Sequence, residues 1–91
     1  MRLLVLIDLS AADLARFEAY EAQVLPLLAT HGGRLELRVR AIDARSETHL
    51  LHFPDDAAFA AYRADPRRLA LLPEWEAAGA RAEIITVEAI A

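Results

Sequence analysis

The sequence predicts an α+β domain of order strand, helix, strand, strand, helix, strand, the split βαβ plan of a ferredoxin-like sandwich. Three observations carry that prediction. Leu3 to Ile7 is a short apolar run ended by Asp8, Leu14 to Leu28 carries an apolar stripe at helical spacing, and Arg34 to Arg40 alternates strictly between polar and apolar residues. One domain spans residues 1–91, since a domain normally takes about 100 to 200 residues.

The elements follow in order. Leu3 to Ile7 reads as a strand buried on both faces. Ser10 precedes Ala11-Ala12-Asp13 and reads as an N-cap with an acid at N3. Leu14, Phe17, Val24, Leu25 and Leu28 then fall within about 100° of one another on a helix, and Gly32-Gly33 closes it. Pro26 removes the bond to the Ala22 carbonyl, so a kink or break is expected there. Arg34 to Arg40 is the second strand, and after a loop around Asp43 to Ser46, Thr48 to Phe53 pairs with it as an antiparallel hairpin. Pro54-Asp55-Asp56 stops the hairpin and caps a helix carrying Phe59 and Tyr62. Asp65-Pro66 is a further cap with proline at N1, Pro73 interrupts, Gly79 ends the helical stretch, and Arg81 to Glu88 is the last strand.

Composition narrows the function classes. The chain is 56% hydrophobic and 26% charged, enough apolar residue for a packed core. Fourteen acids against ten bases, with no basic run, argue against a nucleic-acid partner. The basic and apolar start, Met1 to Ile7, is cut by Asp8 after five apolar residues, too short for a signal peptide or a membrane span, so a cytoplasmic protein with no membrane partner is expected. No cysteine is present, which removes thiolate nucleophiles and sulfur-ligated metals. No cofactor motif is present either, and no cofactor is expected. Half of the first strand's side chains point away from the helices. They would be wet in a monomer, so a homodimer that covers this face is expected.

Phe17-Glu18-Ala19-Tyr20-Glu21, Val24-Leu25-Pro26, His31-Gly32-Gly33-Arg34, Phe53-Pro54-Asp55, and Ala61-Tyr62 before Asp65-Pro66 together resemble a bacterial family of unknown function, numbered thirteen-thirty, within the dimeric α/β-barrel superfamily. The resemblance covers nearly the whole chain. It implies a homodimer whose two four-stranded sheets face each other around a cavity. The wider superfamily includes cofactor-free monooxygenases, haem-handling enzymes and muconolactone isomerases, but the resemblance implies no particular reaction. It departs at Leu6, where many members of the family carry histidine.

If Leu35, Leu37 and Val39 face the helices, Glu36, Arg38 and Arg40 project from the opposite face. With Leu51 and Phe53 in the helix-side core, Leu50 and His52 join them. Arg38, Arg40, Glu36 and His52 are then the candidate site, the arginines and Glu36 binding a small organic acid and His52 moving a proton. The competing reading makes this stripe a solvated face or a set of ion pairs at the dimer seam. His49 and His52 are offset by three on a strand, which sends them to opposite faces and rules out a shared metal. His52 with Asp8 or Glu36 is the remaining metal geometry, and no metal is expected. Glu21 falls within the apolar stripe of the first helix, where a buried carboxyl would carry a raised pKa, although a long side chain near the stripe edge also reaches water. Tyr62 and Trp75 read as core aromatics or as residues at a cavity mouth. Two functions stay open: a protein that binds or converts a small organic acid without cofactor, of isomerase or monooxygenase type, and a non-catalytic dimeric module that binds a ligand or a protein.

Overall fold

A computed structural model describes all residues, 1–91. Its elements are β1 (Arg2–Asp8), α1 (Leu14–Val24), a 3-10 segment (Leu25–His31), β2 (Arg34–Arg40), β3 (Ser46–His52), α2 (Asp56–Arg63), α3 (Pro66–Leu69), α4 (Leu72–Ala78) and β4 (Arg81–Val87). The strands form one antiparallel sheet in the order β2-β3-β1-β4, with the helices against one face. This is the ferredoxin-like α+β arrangement that the element order predicts.

Local chemistry explains most boundaries. Asp13, not Ser10, caps α1, accepting a hydrogen bond from the Arg16 backbone N–H at 3.1 Å. Pro26 lies in the first turn of the 3-10 segment, so the helix changes its pitch one residue before the proline and continues. Gly32 ends that segment in the left-handed region, with φ at 68°. Gly33 meets a different demand: a Cβ there would lie 2.7 Å from Cε1 of the fully buried Phe53. Asp65 caps α3 through the Arg67 N–H and also binds His31 Nε2, both at 2.8 Å, which ties the 3-10 segment to α3.

The core lies between the sheet and the helices. Leu3, Val5 and Ile7 of β1 meet Phe17, Tyr20, Val24 and Leu28, and Phe53 packs at 5.3 Å from Phe59 and 5.5 Å from Tyr62 between ring centroids.

The strict alternation of β2 does not run unbroken through the ladder. Leu35 pairs with Leu51 and Leu37 with Leu50, so two residues of β2 span a single step of β3 and Glu36 has no partner of its own. This is a β-bulge, and an extra residue in a strand of period two reverses the facing of everything after it. Leu35 faces the helices as expected. Beyond the bulge the expectation is reversed: Arg38 pairs with His49 and Arg40 with Glu47 on the helix side, while Leu37 and Val39, 50% and 49% exposed, lie on the outer face with Leu50 and Thr48.

Candidate active site between sheet and helices

The bulge divides the four residues that the sequence places together. Glu36 stays on the outer face, where its Oε1 accepts from Arg2 Nε at 2.9 Å. His52 is also there, paired across the sheet with Arg2 on one side and Arg34 on the other. Its pKa is lowered, first by desolvation and then by the Arg34 charge, and its Nδ1 is buried without a partner. Arg38 and Arg40 are on the other side of the sheet and cannot act with His52 on one molecule. His49 and His52 do face opposite ways, and no three potential metal ligands converge.

On the helix side the arginines meet a carboxylate that alternation places there. The period of two that turns Leu51 inward also turns His49 and Glu47 inward, and these are 3% and 2% exposed. Arg38 Nε donates to Glu47 Oε2 at 3.0 Å and Arg40 Nε to Glu47 Oε1 at 2.8 Å. Glu18 of α1 pairs with Arg40 and, at 3.5 Å, with Arg38. His49 Nε2 completes the set by hydrogen bonding to Glu47. Burial alone would raise the Glu47 pKa, but these hydrogen bonds from His49, Arg38 and Arg40 hold it below the usual value.

That arrangement fixes the state of the imidazole. An ionised carboxylate only accepts, so His49 Nε2 carries the proton and donates. Desolvation lowers the His49 pKa against the pull of Glu47, and the Arg38 and Arg40 charges add to the lowering. The ring is therefore neutral at pH 7, with Nδ1 as its basic nitrogen.

His49 is part of the wall of a cavity of about 140 Å³ between the sheet and the helices. Leu3, Val5, Ile7 and Leu51 line the sheet side, Tyr20, Tyr62 and Trp75 the helix side, and the exposed Leu72, Ala82 and Ile84 form the rim. Glu21 of α1 is the one carboxyl on this wall and is 4% exposed. Its place in the apolar stripe is the one the sequence flags, and burial raises its pKa to about 7 against the Arg38 charge. Tyr20, beside Trp75 at 5.3 Å, is pushed up to about 12 by desolvation. Tyr62 and Trp75 are thus core residues and cavity residues at once.

An apolar cavity walled by a neutral imidazole and a carboxyl that keeps its proton near neutrality can pass a proton in and another out. The sequence reasoning misses Glu47 and His49 as a pair, although alternation from Leu51 finds them. It also misses Arg68, the one guanidinium on the wall, for which the Pro66-Arg67-Arg68 segment carries no local signal.

No family model matches the chain, and no curated protein matches it, so the numbered family stays a resemblance. Solved structures do match in fold. SnoaB, a cofactor-independent oxygenase from Streptomyces nogalater, is 20% identical with a TM-score of 0.66 over 98% of this chain and 94% of its own. An uncharacterised NIPSNAP domain protein from Burkholderia xenovorans is 17% identical, TM-score 0.62, over 100% and 98%. A Deinococcus radiodurans protein assigned as an antibiotic biosynthesis monooxygenase is 13% identical, TM-score 0.67, over 100% and 97%. At these identities the likeness establishes the shared ferredoxin-like fold. No helix is long and apolar enough to cross a membrane.

The raised Glu21 pKa has a measurable cost. The folded protein holds this proton more tightly than the unfolded chain, so stability is lost as pH rises from about 4.5 toward about 7 and stays lost above it. At about 1.4 kcal/mol per pKa unit the loss is about 3 kcal/mol. Urea denaturation is expected to show Glu21→Gln more stable than wild type by ~2–3 kcal/mol at about pH 8, with the difference gone near pH 4. Equal pH profiles for the two proteins would contradict the burial of an ionisable carboxyl.

Proposed function

We propose that this protein is a cofactor-independent enzyme that ionises a small organic molecule inside the cavity between its own sheet and helices. One observation supports this above the others: His49, oriented by Glu47, and Glu21, protonated near neutrality, share one apolar wall. A dry apolar cavity of about 150 Å³ holds a benzene molecule, so the volume here suits a single ring. His49 Nδ1 takes a proton from an acidic C–H or O–H of that ring system, and the electron pair stays on the substrate as an enolate or phenolate. Glu47 stabilises the imidazolium that forms, as a buried carboxylate does in a catalytic triad. If Glu21 then returns a proton to a different carbon, the net reaction is an isomerisation. If the ionised substrate passes electrons to O2, the outcome is that of an oxygenase, the activity that SnoaB is named for. Arg38 and Arg40 keep a role in this reading, by neutralising Glu47 rather than by touching the substrate.

The proposal includes a homodimer in the cytoplasm. Support comes from the outer sheet face, where Leu6, Leu37, Val39 and Ile85 are each exposed by a third to a half of their surface and form an apolar patch flanked by the Arg2–Glu36 pair. A single copy leaves this patch in water at about 25 cal/mol per Å². His52, Glu36 and Arg34 then belong to the seam. A two-fold axis would set the patch against itself, the isologous arrangement commonest among oligomers.

The chemical reading is tested with single-ring ketones and unsaturated lactones in D2O, following deuterium uptake at carbon by NMR. Wild type is expected to accelerate exchange of at least one of them, and His49→Gln to lose ~100-fold or more of that rate. Exchange at the wild-type rate in His49→Gln would overturn the assignment. The assembly is tested by sedimentation: wild type is expected to run as a dimer at micromolar concentration and Val39→Glu as a monomer. A wild-type monomer would remove the homodimer and leave the cavity chemistry standing.

A further inference from the structure

Arg68, in α3, differs from the arginines of the ion network. Arg38, Arg40 and Arg67 each bind a carboxylate, whereas Arg68 has none within ion-pair distance and its Nε is buried with no hydrogen-bond partner. The guanidinium carbon lies 5.1 Å from the centroid of the Tyr62 ring. That contact sets the planar group against the ring, with the Tyr62 hydroxyl near enough to accept from it, and leaves Nε as the donor that is buried without a partner. It is also the only cationic side chain on the cavity wall, and the other side chains around it are almost all apolar.

A guanidinium in such a place is costly unless something accepts from it. An unsatisfied donor against an apolar wall loses its hydration with nothing in return, and loses more when it is charged. The acid that shares the wall, Glu21, does not satisfy it, since Arg68 Nε has no hydrogen-bond partner. A matching acceptor for that Nε is what a ligand entering the cavity can bring. Two coplanar oxygens fit a guanidinium edge bidentately, and an aromatic or unsaturated body fits the faces of Tyr62 and Trp75.

Resting on the cavity as the working site, we propose that Arg68 is its anion-binding residue and that the molecule taken there is a planar, single-ring organic carboxylate. The guanidinium orients the carboxylate, leaving the ring carbons toward His49 and Glu21. Charge that spreads onto the conjugated oxygens when His49 removes a proton is stabilised by the same N–H groups, which are already in place before the reaction.

Trp75 is the single tryptophan of the chain and lines the cavity, so its fluorescence reports occupancy. Benzoate and its neutral isostere benzamide are titrated at about pH 6 into wild type, Arg68→Met and Arg68→Lys. Wild type is expected to bind benzoate at least ~10-fold more tightly than benzamide, the ratio that a charged hydrogen bond of 1.5–3 kcal/mol produces. Arg68→Met is expected to lose that preference while binding benzamide within about twofold of wild type. Arg68→Lys, which keeps the charge without the fork, is expected to fall between them and decides the matter if the methionine variant does not fold. Equal affinity of wild type for the two probes, or a benzoate affinity unchanged by both substitutions, overturns the role of Arg68 and leaves the cavity reading intact. If neither probe perturbs Trp75, the cavity does not take single rings, and the proposed function falls with the inference.

Discussion

Glu47 is a carboxylate buried on the sheet's inner face near the start of β3, and burying one without partners costs several kcal/mol. Its charge is met by Arg38 and Arg40, and those two reach it only because Glu36 bulges out of the β2–β3 ladder. Without the bulge, Leu37 and Val39 would lie over Glu47 and the arginines would point away. The bulge has its own cost, since it turns those two apolar side chains outward, and fully burying each is worth about 1.5–3 kcal/mol. Leaving an ion pair broken in the interior costs about 3–5 kcal/mol, of the same order as the apolar loss for the two side chains together, and part of that loss is recovered if a second copy covers the outer face. One extra residue thus sets both the polar network under the cavity and the apolar patch on the far side.

The element order, the caps at Asp55 and Asp65, the break near Pro26 and the fold class are legible in the sequence because each depends on local chemistry or on a simple period. The face of β2 after Leu35 is not legible. Arg34 to Arg40 alternates without a flaw, and nothing local distinguishes a regular strand from one that slips by a residue at Glu36; the difference lies in what β3 presents opposite. Glu47 and His49 were accessible in principle, since the reasoning that turns Leu51 inward applies two and four residues earlier. Glu21 was visible as an acid within an apolar stripe, and the structure decides between its two readings by leaving it almost no exposed surface. Arg68 depends on how α3 is set at the cavity wall, a tertiary fact with no counterpart in its neighbours along the chain.

The polar side chains of the cavity oppose stability rather than support it. Glu21 raises the free energy of the folded state at neutral pH, His49 gives up part of its basicity, and Arg68 keeps an unpaired Nε. Such groups are what a small domain would replace with leucine if packing alone governed the site. Their convergence on one cavity, while ordinary apolar residues fill the rest of the core, is the physical basis for reading that cavity as functional.

The account stands on the protonation state that Glu47 imposes on His49. Long-range proton–nitrogen correlation NMR of the imidazole, followed through pH, measures it directly. The arrangement predicts a neutral ring at pH 7 with its proton on Nε2, unprotonated Nδ1, and a pKa below the ordinary histidine value. A proton on Nδ1 at pH 7, or a ring still cationic there, would mean that Glu47 and its two arginines do not organise the site.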